Sequence, residues 1–158
     1  MKAEVMQEFF KAVGGGMKDA GIPVSFDLFG MTFESTSDFN IGQRLLDAYP
    51  NADFISPMTY PSHYAPGFDG FRNPALFPYE VPKHSFDSGK AMLEKELGIP
   101  QAESAPHIRP WIQDFDIGAV YTAARIEAQL KAARDAGASG FIIWNARNVY
   151  EPADYLKK

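Results

Sequence analysis

The sequence has no cysteine, no long apolar run and no excess of basic residues. With zero cysteines in 158 residues, disulfides, thiolate metal sites and cysteine nucleophiles are all excluded. No segment approaches the roughly 18 consecutive apolar residues of a membrane span, so none is expected. The opening MKAEVMQEFF lacks the apolar core of a signal peptide. Fifteen Lys and Arg against twenty Asp and Glu give a net charge of -5, which argues against a nucleic-acid partner.

The composition that remains is that of an acidic, aromatic-rich globular chain. Hydrophobic residues make up 46% of it, which is enough to bury a core. The length of 158 residues predicts one domain over residues 1–158. Aromatic residues make up 14%, with 13 Phe and 7 Tyr, and this suits a site that stacks flat, partly apolar ligands.

Hydrophobic periodicity predicts alternating helices and strands. An apolar stripe at helical period from Met6 to Ala20 predicts the first helix, which Gly14-Gly15-Gly16 should fray or break. The further predicted helices cover residues 41–49, 88–97 and 117–136, and the predicted strands cover residues 24–29, 53–60, 107–115 and 140–146. Asp116 is the expected N-cap of the last helix. Such alternation predicts an α/β fold, a parallel sheet covered by helices.

Alternate residues of a strand face opposite sides of the sheet, and here the two sides differ. Val24, Phe26 and Leu28 should face the helices, which leaves Ser25, Asp27 and Phe29 on the other side. By the same parity, that second side receives Ser56, Met58, Tyr60, Arg109, Trp111, Gln113, Ile142 and Trp144. A doubly wound sheet would be aliphatic on both faces. A polar and aromatic face favours the lumen of a (β/α) barrel, but four strands are only half of the eight in a TIM barrel.

Five segments carry a resemblance to a known family. They are IGQ at 41–43, DFISPMTYPSHY at 53–64, NPALFPYE at 73–80, IRPWIQDF at 108–115 and GFIIWNARNVY at 140–150. Together they resemble the C-terminal half of the bacterial "putative glycosyl hydrolase domain" family, a TIM-barrel group. A looser similarity links Met58-Thr59-Tyr60 and Trp144 to chitinase-like barrels. The resemblance implies strands β5 to β8 of a (β/α)8 barrel, a carbohydrate substrate and a cell-envelope or secreted parent protein.

Glycoside hydrolysis requires two carboxyl groups, and four acidic residues lie near predicted strand ends. Asp27 shares its face with Arg109, so the two should form either a packing ion pair or a catalytic carboxylate kept ionised by the guanidinium. Asp114 ends the third predicted strand, where barrel enzymes place catalytic residues. Asp27 and Asp114 are therefore the catalytic candidates. Asp116 is expected to cap a helix and Glu34 to be a solvated loop charge.

The substrate-binding candidates surround these carboxylates. Residues 61–86 form a long predicted loop of the kind that is usually functional. Aromatic rings can stack on a sugar, imidazole can bind or transfer a proton, and amides or guanidinium groups can bond to hydroxyls. The candidates are Tyr60, His63, Tyr64, Arg109, Trp111, Gln113, Trp144, Asn145 and Asn148. His84 and His107 show no metal-ligand spacing, so neither a metal nor another cofactor is expected.

Two functional interpretations remain open. The first is a glycosidase that acts on a polysaccharide or oligosaccharide through paired carboxylates, one of which lies on a strand outside this chain. The second is an inactive carbohydrate-binding or scaffold half barrel. In both, two open sheet edges predict pairing with a second copy of the chain or with the N-terminal half of the barrel.

Overall fold

The computed structural model describes residues 2–150 and 155, within which lie five α-helices and four strands. The helices are α1 (Lys2–Asp19), α2 (Leu45–Ala48), α3 (Glu80–Leu97), α4 (Gln101–Ser104) and α5 (Ala123–Asp135). The strands are β1 (Ser25–Phe29), β2 (Phe54–Met58), β3 (Trp111–Gln113) and β4 (Ile142–Trp144). None of the helices in this part of the chain is both long and apolar enough to cross a membrane.

The four strands form one parallel sheet in the order β1-β2-β3-β4. Phe29 is in register with Met58, Met58 with Trp111, and Trp111 with Ile142. Each strand therefore pairs with the next strand along the chain. A doubly wound sheet reverses its strand order at a switch point, and this sheet does not. The predicted α/β class and parallel sheet are confirmed, and the order is consistent with half of a barrel.

The two faces of the sheet differ as the alternation of β1 predicts. Phe26 and Leu28 are buried, whereas Ser25, Asp27 and Phe29 are exposed. Leu28 and Ile55 pack with Phe10 of α1 and Leu93 of α3 in one apolar cluster. The opposite face, here called the open face, carries Ser25, Asp27, Phe29, Phe54, Ser56, Met58, Arg109, Trp111, Gln113, Ile142 and Trp144.

Helix α1 runs without a break through its three glycines, so the predicted fraying is wrong. Tertiary packing supplies the stability that glycine propensity lacks. Phe10 of α1 is almost fully buried, with its ring centroid 4.8 Å from that of Phe26. Gly14 faces the backbone at Asn51 so closely that a Cβ there would lie 2.1 Å from the Asn51 carbonyl oxygen. The glycine is therefore required for helix contact, at the cost of helix propensity.

The predicted helix over residues 41–49 is mostly absent, because only Leu45–Ala48 is helical. Gly42 has a φ of +85°, and Arg44 is extended. The side chain of Gln43 accepts a hydrogen bond from the Phe29 amide at 3.0 Å, which holds this segment against the end of β1. A tertiary hydrogen bond thus replaces the helical turn.

Two other helices differ from prediction at their starts. Helix α3 begins at Glu80 rather than residue 88, since Pro82 lies in the first turn, where its missing N–H is not needed. Helix α5 begins at Ala123 rather than residue 117. Asp116 does not cap it; its carboxylate instead accepts the amide of Tyr121 at 2.6 Å within the preceding loop.

The last three strands are shorter than predicted. On β3 the cause is Pro110, which has no N–H to donate to the ladder. On the amino-terminal side of Pro110, pairing with β2 continues only as an isolated bridge between Ile55 and Ile108. There the Arg109 amide donates to the Ile55 carbonyl at 2.9 Å.

The close approach of Gly14 in α1 to the Asn51 carbonyl can be tested with a matched pair of substitutions. Gly14→Ala should lower the free energy of unfolding by about 1–3 kcal/mol, because the new Cβ overlaps the Asn51 carbonyl oxygen. Gly15→Ala has no atom within 4 Å and should raise it by up to about 1 kcal/mol through helix propensity. Urea unfolding measures both. Equal effects of the two substitutions would contradict the packing role of Gly14.

Candidate active site

The Asp27 carboxylate lies on the open face and accepts a hydrogen bond from the indole N–H of Trp111 at 3.0 Å. Asp27 is on β1 and Trp111 on β3, so the indole spans the intervening strand β2. Neighbouring strands are about 4.8 Å apart, and such a span requires a small side chain between them. Ser56 of β2 fills that position, fully buried and hydrogen-bonded to Ser25 at 2.8 Å. Two serines thus leave room for the bond between tryptophan and aspartate.

Trp144 extends this aromatic surface towards β4. Its ring lies edge-to-face with that of Trp111, with centroids 5.9 Å apart and planes at 90°. Trp144 is 42% exposed, Asp27 is exposed and Trp111 is half-buried, so the carboxylate and the Trp144 indole are open to solvent on either side of Trp111. Adjacent carboxylate and aromatic surfaces suit a ligand that has both hydroxyl groups and an apolar ring face.

Arg109 does not form the ion pair with Asp27 that the sequence suggests. Its guanidinium carbon lies 3.7 Å from the centroid of the Phe54 ring, a cation–π contact towards the amino end of β2. No ion pair between Arg109 and Asp27 occurs among the residues that the structure describes. The two residues share the open face, but the indole of Trp111 is the partner that Asp27 has.

A cavity of about 190 Å³ adjoins the carboxyl ends of β1 and β2. Its lining is largely apolar and consists of Phe29, Gly30, Met31, Met58, Tyr60, His63 and Tyr64. We call this cavity the pocket. It lies at the end of the strands where barrel enzymes have their sites.

Tyr60 contributes a phenol to the pocket. Its side chain is 8% exposed, yet none of the hydrogen bonds within residues 2–150 and 155 involves its hydroxyl. Burial and the nearby charge of Asp27 raise the pKa of Tyr60. The hydroxyl therefore keeps its proton and can donate to a bound oxygen.

His63 and Tyr64 form the rest of the polar lining. The ring of His63 lies 5.3 Å from that of Tyr60 and 5.7 Å from that of Phe115, and its Nδ1 is 3.1 Å from the Ser62 hydroxyl. Desolvation by these neighbours lowers the pKa of His63. The hydroxyl of Tyr64 is bonded to that of Ser85 at 2.7 Å, and burial raises the pKa of this tyrosine.

Gln113, predicted to bind substrate, is fully buried instead. Its side-chain oxygen accepts the Ser62 amide at 3.2 Å, and its side-chain nitrogen donates to the Phe115 carbonyl at 2.9 Å. Its backbone is bonded in both directions by the Gln129 side chain of α5. Gln113 thus ties the loop after β2 to the end of β3 and positions His63 rather than facing a ligand.

Asp114 lies on the helix side of the sheet, together with Asn145. The hydroxyl of Tyr155 donates to its carboxylate, and the Asn145 side chain donates to its carbonyl at 2.5 Å. Asn145 is buried and its side-chain oxygen accepts the Arg147 amide at 2.9 Å. Asn148 is exposed, with a φ of +54°. Asp27 and Asp114 thus share no partner, and the structure does not bring them together.

Glu34 belongs to a buried network that the sequence did not reveal. Its carboxylate accepts the Ser85 hydroxyl at 2.5 Å and lies 3.5 Å from Nε2 of His84, with the side chain only 17% exposed. The expectation of a solvated loop charge is therefore wrong. Ser85 is 51 residues away and fully buried, so no local pattern could have indicated this contact.

A second, larger cavity of about 490 Å³ lies at the opposite end of the sheet. It runs between α1 and the segments that lead into β1 and β2, with Lys11, Lys18 and Asp53 among its lining. Active sites of parallel barrels lie at the carboxyl ends of the strands, so the smaller pocket is the better candidate despite its size. In the described part of the chain, no group of three or more His, Asp or Glu side chains is arranged to hold a metal ion.

The parallel sheet with consecutive strands is consistent with half of a barrel, and its open face carries a carboxylate beside aromatic side chains. The family described as "Putative glycosyl hydrolase domain" matches residues 1–150, and the chain belongs to this family. The resemblance carried by the five sequence segments is thereby confirmed. No curated protein and no solved structure matches the chain.

The lowered pKa of His63 predicts part of the acid sensitivity of the fold. A histidine with a folded pKa below its unfolded pKa contributes stability that is present above the unfolded pKa and is lost as pH falls through the folded pKa. His63→Gln should therefore lose less unfolding free energy than the unsubstituted chain between about pH 7 and about pH 5. Urea unfolding over this range measures the difference, with His107→Gln as control. Equal losses in all three proteins would contradict the desolvation.

Proposed function

We propose that this chain is a glycoside hydrolase domain whose site is built around Asp27. The observation that carries the proposal is the exposed Asp27 carboxylate, bonded to Trp111, whose ring in turn contacts that of Trp144. The family membership supports the reaction class. The substrate is a polysaccharide or oligosaccharide, because indole faces and an unpartnered phenol suit sugar rings and their hydroxyl groups.

Asp27 acts as the ionised carboxylate, either as a base that activates water or as the nucleophile. The Trp111 N–H fixes one carboxylate oxygen, which leaves the other for the reaction. A second, protonated carboxyl group donates its proton to the leaving glycosidic oxygen. If Asp27 is the base, the anomeric carbon receives the hydroxyl of water as the C–O bond breaks, and Asp27 receives the remaining proton. If Asp27 is the nucleophile, its oxygen bonds to the anomeric carbon as the C–O bond breaks; water then releases the sugar by giving its hydroxyl to that carbon and its proton to the second carboxyl group.

The other predicted residues take supporting roles in this proposal. Trp111 and Trp144 stack the sugar, and Tyr60 donates to one of its oxygens. His63, with the Tyr64 ring, completes the pocket wall. The second carboxyl group comes from the strands that would complete a (β/α)8 barrel. Asp114 remains a predicted candidate for it, although its carboxylate is bonded to Tyr155 on the other side of the sheet.

Asp27→Asn is the direct test. The asparagine oxygen can still accept from Trp111, so only the charge is removed, and the hydrolytic rate should fall by at least about a hundredfold with little change in KM. Release of reducing ends from a panel of polysaccharides measures it. Asp116→Asn is the matched control, because its bond to the Tyr121 amide can persist and it lies off the open face.

Asp114→Asn, assayed in parallel, decides the second carboxyl group. A loss as large as that of Asp27→Asn would assign it to Asp114, and an unchanged rate would exclude Asp114. Full activity in both variants would overturn the catalytic assignment.

A catalytically inactive carbohydrate-binding domain is the second candidate. The observation that favours it is the placement of Asp27 and Asp114 on opposite sides of the sheet, without a shared partner. Binding of an oligosaccharide without release of reducing ends would identify this function. Trp144→Ala should then weaken binding, whereas Asp27→Asn should change it little.

We further propose that the open sheet pairs with a second copy of the chain. Strands β1 and β4 are the two ends of the sheet in the described residues, and Phe29 and Trp144 at these ends are 46% and 42% exposed. Unpaired edges offer rows of free N–H and C=O groups to another chain. Eight strands from two copies would complete a pseudo-barrel.

Light scattering behind a sizing column tests this pairing. The expected mass is about twice the chain mass of 17.5 kDa. A monodisperse monomer with an unchanged circular dichroism spectrum would contradict it.

A further inference from the structure

We propose that His84 is a pH-dependent clasp that joins the loop after β1 to the loop after β2 at the wall of the pocket. His84 lies on α3. Its Nε2 is 3.5 Å from a carboxylate oxygen of Glu34, in the first loop, and its Nδ1 is 3.4 Å from a carboxylate oxygen of Asp69, in the second. The clasp concerns the shape of the pocket and does not depend on which ligand the pocket binds.

Only a protonated ring can donate to both carboxylates. A neutral imidazole has one N–H donor and one lone pair, so in any tautomer one nitrogen would direct its lone pair at a carboxylate. The imidazolium donates from both nitrogens and can pair with both acids. Only the charged ring can therefore attract Glu34 and Asp69 at the same time.

The Glu34 side of the clasp reaches the pocket through hydroxyl groups. The Ser85 hydroxyl donates to Glu34 at 2.5 Å, and the Tyr64 hydroxyl donates to Ser85 at 2.7 Å. Tyr64 lines the pocket. Gly30 gives its hydroxyl the space, because a Cβ on Gly30 would lie 2.6 Å from that oxygen. Glu34 is thus held from two directions, and the clasp is anchored on this side.

The Asp69 side is attached more weakly. Asp69 has a φ of +49°, a backbone conformation that is unfavourable for a residue other than glycine. Its flanking backbone hydrogen bonds stay within residues 65–71. Phe68 packs against the rings of Tyr64 and His84, with centroids 4.4 Å and 5.3 Å away. Besides this packing, the ion pair with His84 is the side-chain contact that holds Asp69 to the helix.

The nearby lysines of α3 pair with another acid, so His84 is the cation that faces both Glu34 and Asp69. On α3, Glu80 lies one turn before it, and Asp87, three residues after it, is paired with Lys83 and Lys90. Among the described residues, His84 is the one basic side chain in an ion pair with either Glu34 or Asp69. Loss of its proton therefore turns two attractions into at least one repulsion and releases the segment at residues 67–70.

Amide hydrogen exchange tests the clasp on the full chain. Residues 64–72 should be protected about three- to tenfold more at about pH 5.5 than at about pH 8, after correction for the intrinsic exchange rate. His84→Gln should remove this difference and exchange at both pH values as the unsubstituted chain does at the higher one. His107→Gln, at the other end of the sheet, should keep it. Equal protection at the two pH values, or a difference that persists in His84→Gln, would overturn the proposal.

Asp69→Asn provides a second test, on an exposed loop where folding is not at risk. It keeps a side chain of the same size but removes the anion. The pH dependence of exchange in residues 64–72 should disappear, while α3 remains protected. ¹⁵N resonances of His84 should also show both ring nitrogens protonated when the segment is protected. A neutral ring in the protected state would overturn the clasp.

Discussion

The hydrogen bond from Trp111 to Asp27 is the interaction around which the site is organised. It joins the first and third strands of the sheet across the second. It therefore requires that β1, β2 and β3 lie in this order and that the side chain on β2 between the two residues is small. A larger residue than Ser56 on the middle strand would occupy the path of the indole. The bond places an anion and an aromatic ring together on the open face, and Trp144 adds a second ring beside them. The helices pack against the opposite, aliphatic face of the sheet, so they do not cover this arrangement.

Hydrogen bonds of buried polar side chains hold the loops at the carboxyl ends of the strands. Gln113 has no contact with the pocket but bonds to the backbone of the loop after β2, which carries His63. Glu34 and Ser85 hold Tyr64 from the other side. Buried polar groups are costly unless they are satisfied, and each of these is paired. The pocket wall thus depends on hydrogen bonds that lie behind it.

Much of the fold could be predicted because the relevant signals are local. The alternation on β1 and the order of helices and strands both follow from periodicity within short windows. The residues at which helices begin and end could not be predicted in this way. The helix at residues 41–49 is mostly replaced by the hydrogen bond between Gln43 and the Phe29 amide, and Asp116 caps a loop instead of α5. The uninterrupted α1 likewise depends on Gly14 contacting the backbone of Asn51. At residues 41–49 and in α1, a contact distant in sequence overrides local preference, whereas Asp116 bonds an amide only five residues away.

The sequence by itself determined the class of fold, the aliphatic and open faces, and the family, because composition, alternation and motifs are properties of short segments. It also predicted Asp27, Tyr60 and Trp111 as candidate site residues. Only the tertiary structure decided their partners. Asp27 and Trp111 are 84 residues apart, and Glu34 and Ser85 are 51 apart. Such pairs depend on strand order, on the side chains between them and on which direction each side chain takes. Parity shows which face a residue occupies, but not which neighbour it reaches.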